Sequence, residues 1–109
     1  NDHYILDEVL GSFKPSLVVA EFNPIFENHE SKVITYNENH RWNNDDYYGF
    51  SFKAGIKLGR KHGYTCVFQN DSLNMYFVRN EFVEIDPKVT YTKTNYHPAS
   101  NRTSEWLNY

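Results

Sequence analysis

Glu21 and Asn23 close a short apolar run, Leu17-Val18-Val19-Ala20-Glu21-Phe22-Asn23-Pro24. If that run is a strand of a parallel sheet, both residues stand at its carboxyl end, where open α/β sheets bind their ligands. A carboxylate there can act as a general base on a substrate hydroxyl or hold a metal. The plainer use of Glu21 is to hydrogen-bond the backbone around Pro24. Glu21 and Asn23 are therefore the catalytic candidates. A second set, Trp42, Tyr47, Tyr48 and Gly49, is the substrate-binding candidate. Its rings can form a stacking wall for a sugar or another flat ligand. Alternatively, the loop that carries them folds down and buries them as satellite core. Gly49 permits a close backbone approach or a positive φ.

Other chemistries find little support. The five histidines include no HxxxH pair, so no zinc site is expected. His29 with Glu27 and Glu30 is the only local cluster, and it reads as solvated. Cys66 is the single cysteine. It lies in an apolar run and is expected to be a buried structural thiol. No GxSxG or Cys-His nucleophile signature is present. The five glycines, Gly11, Gly49, Gly55, Gly59 and Gly63, form no GxGxxG loop. Net charge is −3, and no basic stripe with interleaved aromatics appears, so nucleic acid is not an expected partner. Lys53, Lys57, Arg60 and Lys61 cluster at helical spacing and read as a solvated helix face. No apolar run approaches the ~18 residues needed for a membrane span. With no signal peptide visible, a cytoplasmic location is expected.

The elements that must position these residues are legible in outline. The chain has 109 residues, enough for one small domain. Aromatic residues make up 17%, so much of the apolar surface is ring. Residues 3–13 place Ile5, Leu6, Val9, Leu10 and Phe13 on one helical stripe, ended by Lys14-Pro15. Residues 17–22 read as a strand covered on both faces. Residues 25–50 form a long aromatic-rich connection, with a short strand expected at 33–36. Residues 51–62 read as a second helix with Phe52, Gly55, Ile56 and Gly59 on one face. Its two glycines cost propensity but allow close approach to a sheet. Gly63 is placed as the residue that ends this helix. Residues 64–69 and 73–79 read as strands joined by a turn at Asn70-Asp71-Ser72, and hence antiparallel. The expected sheet places the last strand antiparallel between the other two. Residues 83–109 form an irregular tail. Leu6, Leu10, Val18, Ala20, Ile56, Cys66 and Phe77 are the expected core.

This order of elements resembles the C-terminal half of a class I S-adenosylmethionine-dependent methyltransferase. It looks more specifically like the FkbM-related methyltransferase-like proteins associated with surface-glycan synthesis. The residues that carry the resemblance are Asn1-Asp2 with Tyr4 and Val18-Val19-Ala20-Glu21-Phe22-Asn23-Pro24. They continue with Tyr48-Gly49-Phe50-Ser51, Leu58-Gly59-Arg60-Lys61-His62-Gly63-Tyr64 and Asn74-Met75-Tyr76-Phe77-Val78-Arg79. The match covers about residues 1–82. It implies an α/β, partial Rossmann-like methyltransferase fold, with a mixed sheet ending in an antiparallel hairpin. The implied function is as part of an S-adenosylmethionine-dependent methyltransferase acting on a sugar or glycan hydroxyl. In such proteins the cofactor-binding segments precede the position of Asn1, so the cofactor's site is expected outside this chain. The implied partners are a glycan or small-molecule acceptor, and the remainder of the domain or another chain. The alternative is a non-catalytic carbohydrate- or protein-binding module that retains the fold.

Overall fold

A computed structural model describes residues 1–70, 73–85 and 87–109. The order of elements is α1 (Asp2–Ser12), β1 (Leu17–Glu21), β2 (Lys32–Val33), α2 (Phe52–Lys61), β3 (Tyr64–Gln69), β4 (Asn74–Arg79) and β5 (Leu107–Asn108), with 3-10 turns at Asn80–Phe82 and Thr103–Glu105. The main sheet has the order β1-β4-β3, and β4 runs antiparallel to both neighbours. The expected central position of the last strand is therefore observed. The turn expected at Asn70-Asp71-Ser72 falls largely outside the described residues.

Each element follows from local chemistry. Ser51 caps α2, its hydroxyl accepting from the Ala54 amide. Gly63 ends the helix with φ +81°, and its amide donates to the Arg60 carbonyl. The helix packs so close to the sheet that a Cβ on Gly55 would stand 2.7 Å from Met75 Sδ. One on Gly59 would stand 2.9 Å from the Phe77 ring. Both glycines are thus sites of close approach, as their spacing suggested. A one-residue irregularity between Cys66 and Phe68 lets β3 follow β4.

The core differs from the expected one in phase. In α1 the buried stripe is His3, Leu6 and Leu10, spaced three and four apart, while Ile5 and Phe13 are exposed. Leu6, Leu10, Cys66 and Phe77 are buried as expected. Val18, Ala20 and Ile56 are only half-buried and pack against the rim of that core. Leu6 and Leu10 of α1 and Leu58 of α2 meet Met75 and Phe77 in one cluster.

The expectation of a β1 covered on both faces is corrected. Leu17 and Val19 are 56% and 49% exposed, and Phe68 of β3 is exposed too. Phe68 packs on Tyr76 of β4, the two rings tilted at 55° with centroids 5.4 Å apart. The hydrogen-bonded neighbour of β1 is also antiparallel, so Glu21 pairs opposite Asn74 and does not end a strand in a parallel ladder. The result is a mixed α/β domain with antiparallel sheets. The valines of β1 owe their density to β-propensity as much as to burial.

The short strand expected at 33–36 is shifted. Lys32–Val33 forms β2 and pairs antiparallel with β5 at the end of the tail. Residues 83–109 make repeated contacts with the long connection: the Thr94 amide donates to the Pro24 carbonyl, Asp46 to Pro98, and Tyr109 to Ser31. Tyr91 is buried against Phe22 and Phe52. No helix among the described residues is long and apolar enough to cross a membrane.

Candidate functional site

The long connection is held down by side chains that bond backbone groups. Asn23 is fully buried. Its amide donates to the carbonyls of Asp46, at 2.9 Å, and Tyr48, at 3.0 Å, while its own oxygen accepts from the Ile25 amide. Asn23 thereby holds residues 46–48 against the end of β1. Tyr47 is also buried. Its hydroxyl accepts from the Thr35 amide, and the Arg102 guanidinium lies 4.2 Å from its ring centroid. Trp106 packs on the same ring. Two of the six candidates, Asn23 and Tyr47, thus hold the backbone of the connection and do not line the cavity that the others share.

The other four meet. Glu21, Trp42, Tyr48 and Gly49 line one cavity of about 190 Å³, together with Asn1, Asp2, His40 and His97. Asp45 fixes Trp42 by accepting from its indole nitrogen through the backbone carbonyl, at 2.8 Å. Trp42, Tyr48 and His97 stand mutually edge-on. Ring centroids are 5.9 Å apart for Trp42–Tyr48, 5.0 Å for Trp42–His97 and 5.7 Å for Tyr48–His97. Gly49 takes φ +66°, and a Cβ there would meet nothing within 4 Å. Its role is conformational: it turns the chain after Tyr48 so that the ring faces the cavity's lining while Phe50 enters the core.

The cavity's polar groups have defined states. Burial, helped by the nearby Glu21 and Asp46 carboxylates, pushes the Tyr48 hydroxyl up to about 12. Tyr48 therefore remains a donor at physiological pH. Burial lowers the His40 ring below its ordinary value. Glu21 is exposed at the rim, and Asp2 adds a second carboxylate from the first turn of α1. The lining thus combines a fixed donor, two carboxylates and four rings, those of His40, Trp42, Tyr48 and His97.

His97, His40, Asp2 and Asn1 were not among the sequence candidates. Asn1 and Asp2 were named only among the residues that carry the family resemblance. His97 lies far along the chain in the tail, and no spacing rule connects it to Trp42. Its position depends on tail contacts such as the Ser100 amide donating to Asp46. Cys66 is buried, and burial raises its thiol pKa, consistent with a structural role. Glu27 pairs with Lys93 and Glu30 accepts from the Glu27 amide. No cluster able to hold a metal occurs among the described residues.

Comparison of the chain with protein-family models, with characterised proteins and with solved structures finds no match.

Proposed function

We propose that this chain binds a sugar or glycan in the cavity walled by Trp42, Tyr48 and His97. The observation that carries the reading is the mutually edge-on ring triad placed beside a protonated Tyr48 hydroxyl and the Glu21 carboxylate. A sugar hydroxyl both donates and accepts, so it matches a lining that offers both. Ring faces suit the apolar C–H faces of a pyranose.

The strand order β1-β4-β3, with an antiparallel strand between two that share a direction, supports a second reading. In it the chain is part of a partial Rossmann-like methyltransferase domain, and the cavity takes the acceptor. Glu21 would then accept the proton of the hydroxyl that is modified. The ring cavity does not itself fit S-adenosylmethionine. The spaces beside Gly55 and Gly59 are filled by Met75 and Phe77. The ring cavity, at about 190 Å³, falls below the ~300–1,000 Å³ usual for such ligands. The remainder of the domain or another chain would have to supply that site. The reading keeps a cytoplasmic setting, where a lone reduced thiol such as Cys66 is ordinary.

Titration of the chain with a panel of neutral monosaccharides and disaccharides, followed by Trp fluorescence and calorimetry, tests the first reading. Binding that weakens about tenfold or more in Trp42→Ala is expected, a loss of at least ~1.4 kcal/mol. Capture of a quaternary ammonium such as choline with no response to any sugar would overturn it, because an aromatic corner with carboxylates also suits cations. S-adenosylhomocysteine is expected not to bind the isolated chain. Micromolar binding would show that these residues build a cofactor site.

A further inference from the structure

A second groove, of about 810 Å³, runs along the other exposed flank of α2. Lys53, Ile56 and Arg60 line it from one stripe of the helix, and Lys88 and Val89 approach it from the tail. We propose that this groove binds a small organic diphosphate.

The argument begins with how α2 divides its cations. Lys57 donates to Ser31 and to the Tyr109 carbonyl, and Lys61 pairs with Asp7 at 3.1 Å. The side chains of Lys53, Arg60 and Lys88 make no ion pair and no hydrogen bond among the described residues. Among the described residues no carboxylate lines the groove, although the chain as a whole carries 14 acidic and 11 basic residues. Three uncompensated cations in one concavity raise the local positive potential, because low-dielectric walls focus the field. Lys53 is half-buried along the groove's wall, whereas Arg60 and Lys88 are exposed at it.

The neutral groups select the same kind of ligand. The Thr65 hydroxyl donates to Asn80 Oδ1 at 2.6 Å. That uses the acceptor end of Asn80 and leaves its amide NH₂ as a donor beside the cations. The Asn80 amide donor thus stands beside three cationic side chains, a combination that favours an anion.

Spacing sets the anion's length. Lys53 and Arg60 are seven residues apart on the helix, a rise of about 10 Å. A single phosphate or carboxylate cannot engage both without drawing two long side chains together. A diphosphate presents two groups of oxygens, and Arg meets one of them bidentately. The half-buried Ile56 and Val89 give the organic body an apolar surface to cover. The groove's volume is within the ~300–1,000 Å³ range of small-molecule sites. This site is separate from the ring cavity and does not rest on the sugar reading.

The test is calorimetric titration of the chain with inorganic pyrophosphate, ADP, inorganic phosphate and sulfate, at low and at physiological salt. Pyrophosphate and ADP are expected to bind more tightly than about 1 mM, and at least about tenfold more tightly than phosphate or sulfate. Lys53→Gln and Arg60→Gln should each weaken pyrophosphate binding severalfold. Neither should lower the melting temperature, since neither side chain has a partner to lose. Lys57→Gln, on the same helix but turned to Tyr109, should leave pyrophosphate affinity unchanged. The proposal is overturned by pyrophosphate affinity equal to that of sulfate, by affinity indifferent to Lys53→Gln and Arg60→Gln, or by no binding at all. Tight binding of an RNA oligomer without binding of pyrophosphate would equally overturn it.

Discussion

Two halves of this molecule solve the same positioning problem by different means. On one side, α2 lies on the β3–β4 hairpin, and the ladder of backbone bonds fixes everything the helix carries. On the other, residues 23–50 and the tail make few ladder bonds. There, single side chains tie the backbone: Asn23 to residues 46 and 48, Tyr47 to Thr35, Ser51 to Glu30 and Lys32. The first design is tolerant of surface change and intolerant of added volume. The second is the reverse: it has room at the surface but depends on a few buried polar groups.

The largest effect should come from Leu10→Ala, in the helix that closes the core of the packed half. Leu10 is fully buried, so about 2–5 kcal/mol of stability should be lost in a urea melt. A loss below about 1 kcal/mol would mean that α1 adds little to the packed half.

His3 sits at the seam between the halves. Its ring is buried against Phe50 and Tyr109, and neither ring nitrogen has a hydrogen-bond partner. Burial lowers its pKa from 6.5 to about 4. As pH falls through this window the unfolded chain takes up the proton first. His3's contribution is therefore intact above about pH 6.5 and lost progressively down to about pH 4, a change of roughly 3 kcal/mol. His3→Phe should flatten this part of the stability profile. An unchanged profile would place the acid sensitivity elsewhere.

A matched pair of variants separates the two designs more sharply. Asn23→Ala should cost about 1–3 kcal/mol by stranding buried carbonyls. Hydrogen exchange should show the loss first in residues 44–50, with β3 and β4 still protected. Gly59→Ala should cost a similar ~1–3 kcal/mol by forcing α2 off Phe77. Its exchange signature should be the opposite, opening α2 and the hairpin first. Identical signatures from both variants would show that the halves unfold as one unit.

The smallest effect on stability, within about 0.5 kcal/mol, is expected for Tyr48→Phe. Tyr48 lines the ring cavity, and its hydroxyl has no hydrogen-bond partner among the described residues. Sugar affinity should nevertheless fall about threefold to tenfold, through loss of one donor worth ~0.5–1.5 kcal/mol. Unchanged affinity would move the ligand away from Tyr48.

How much of this was legible in the sequence follows the same division. The end of α2 at Gly63 and the extent of β3 were readable, because Gly63 and the apolar run act within a few residues, while the central place of β4 came from the turn together with the family resemblance. The close-approach role of Gly55 and Gly59 was readable for the same reason. The phase of α1 was misjudged, since Ile5 and Phe13 are as apolar as Leu6 and Leu10, and only the placement of neighbours chooses among them. The apolar run of β1 looked doubly covered, yet its outer side chains are exposed, because valine density reports strand preference and burial together. Four of the six candidate site residues converge on one cavity. Asn23 and Tyr47 do not, because a polar group beside a site and one that builds it have the same composition.

The sequence by itself determined the local elements, the order in which they follow, and the absence of a glycine-rich loop from its 109 residues. Short-range forces suffice for these: helix capping, turn preference and the pairing of adjacent strands. Only the tertiary structure decided which charges of α2 are spent and which are free. Lys57 and Lys61 find partners in Tyr109 and Asp7, while the side chains of Lys53 and Arg60 find none among the described residues, though all four look alike in the chain. Only the tertiary structure, too, brought His97 to Trp42 and Tyr48. That meeting depends on where a long tail lies, and long-range contacts are set by the summed packing of the whole chain.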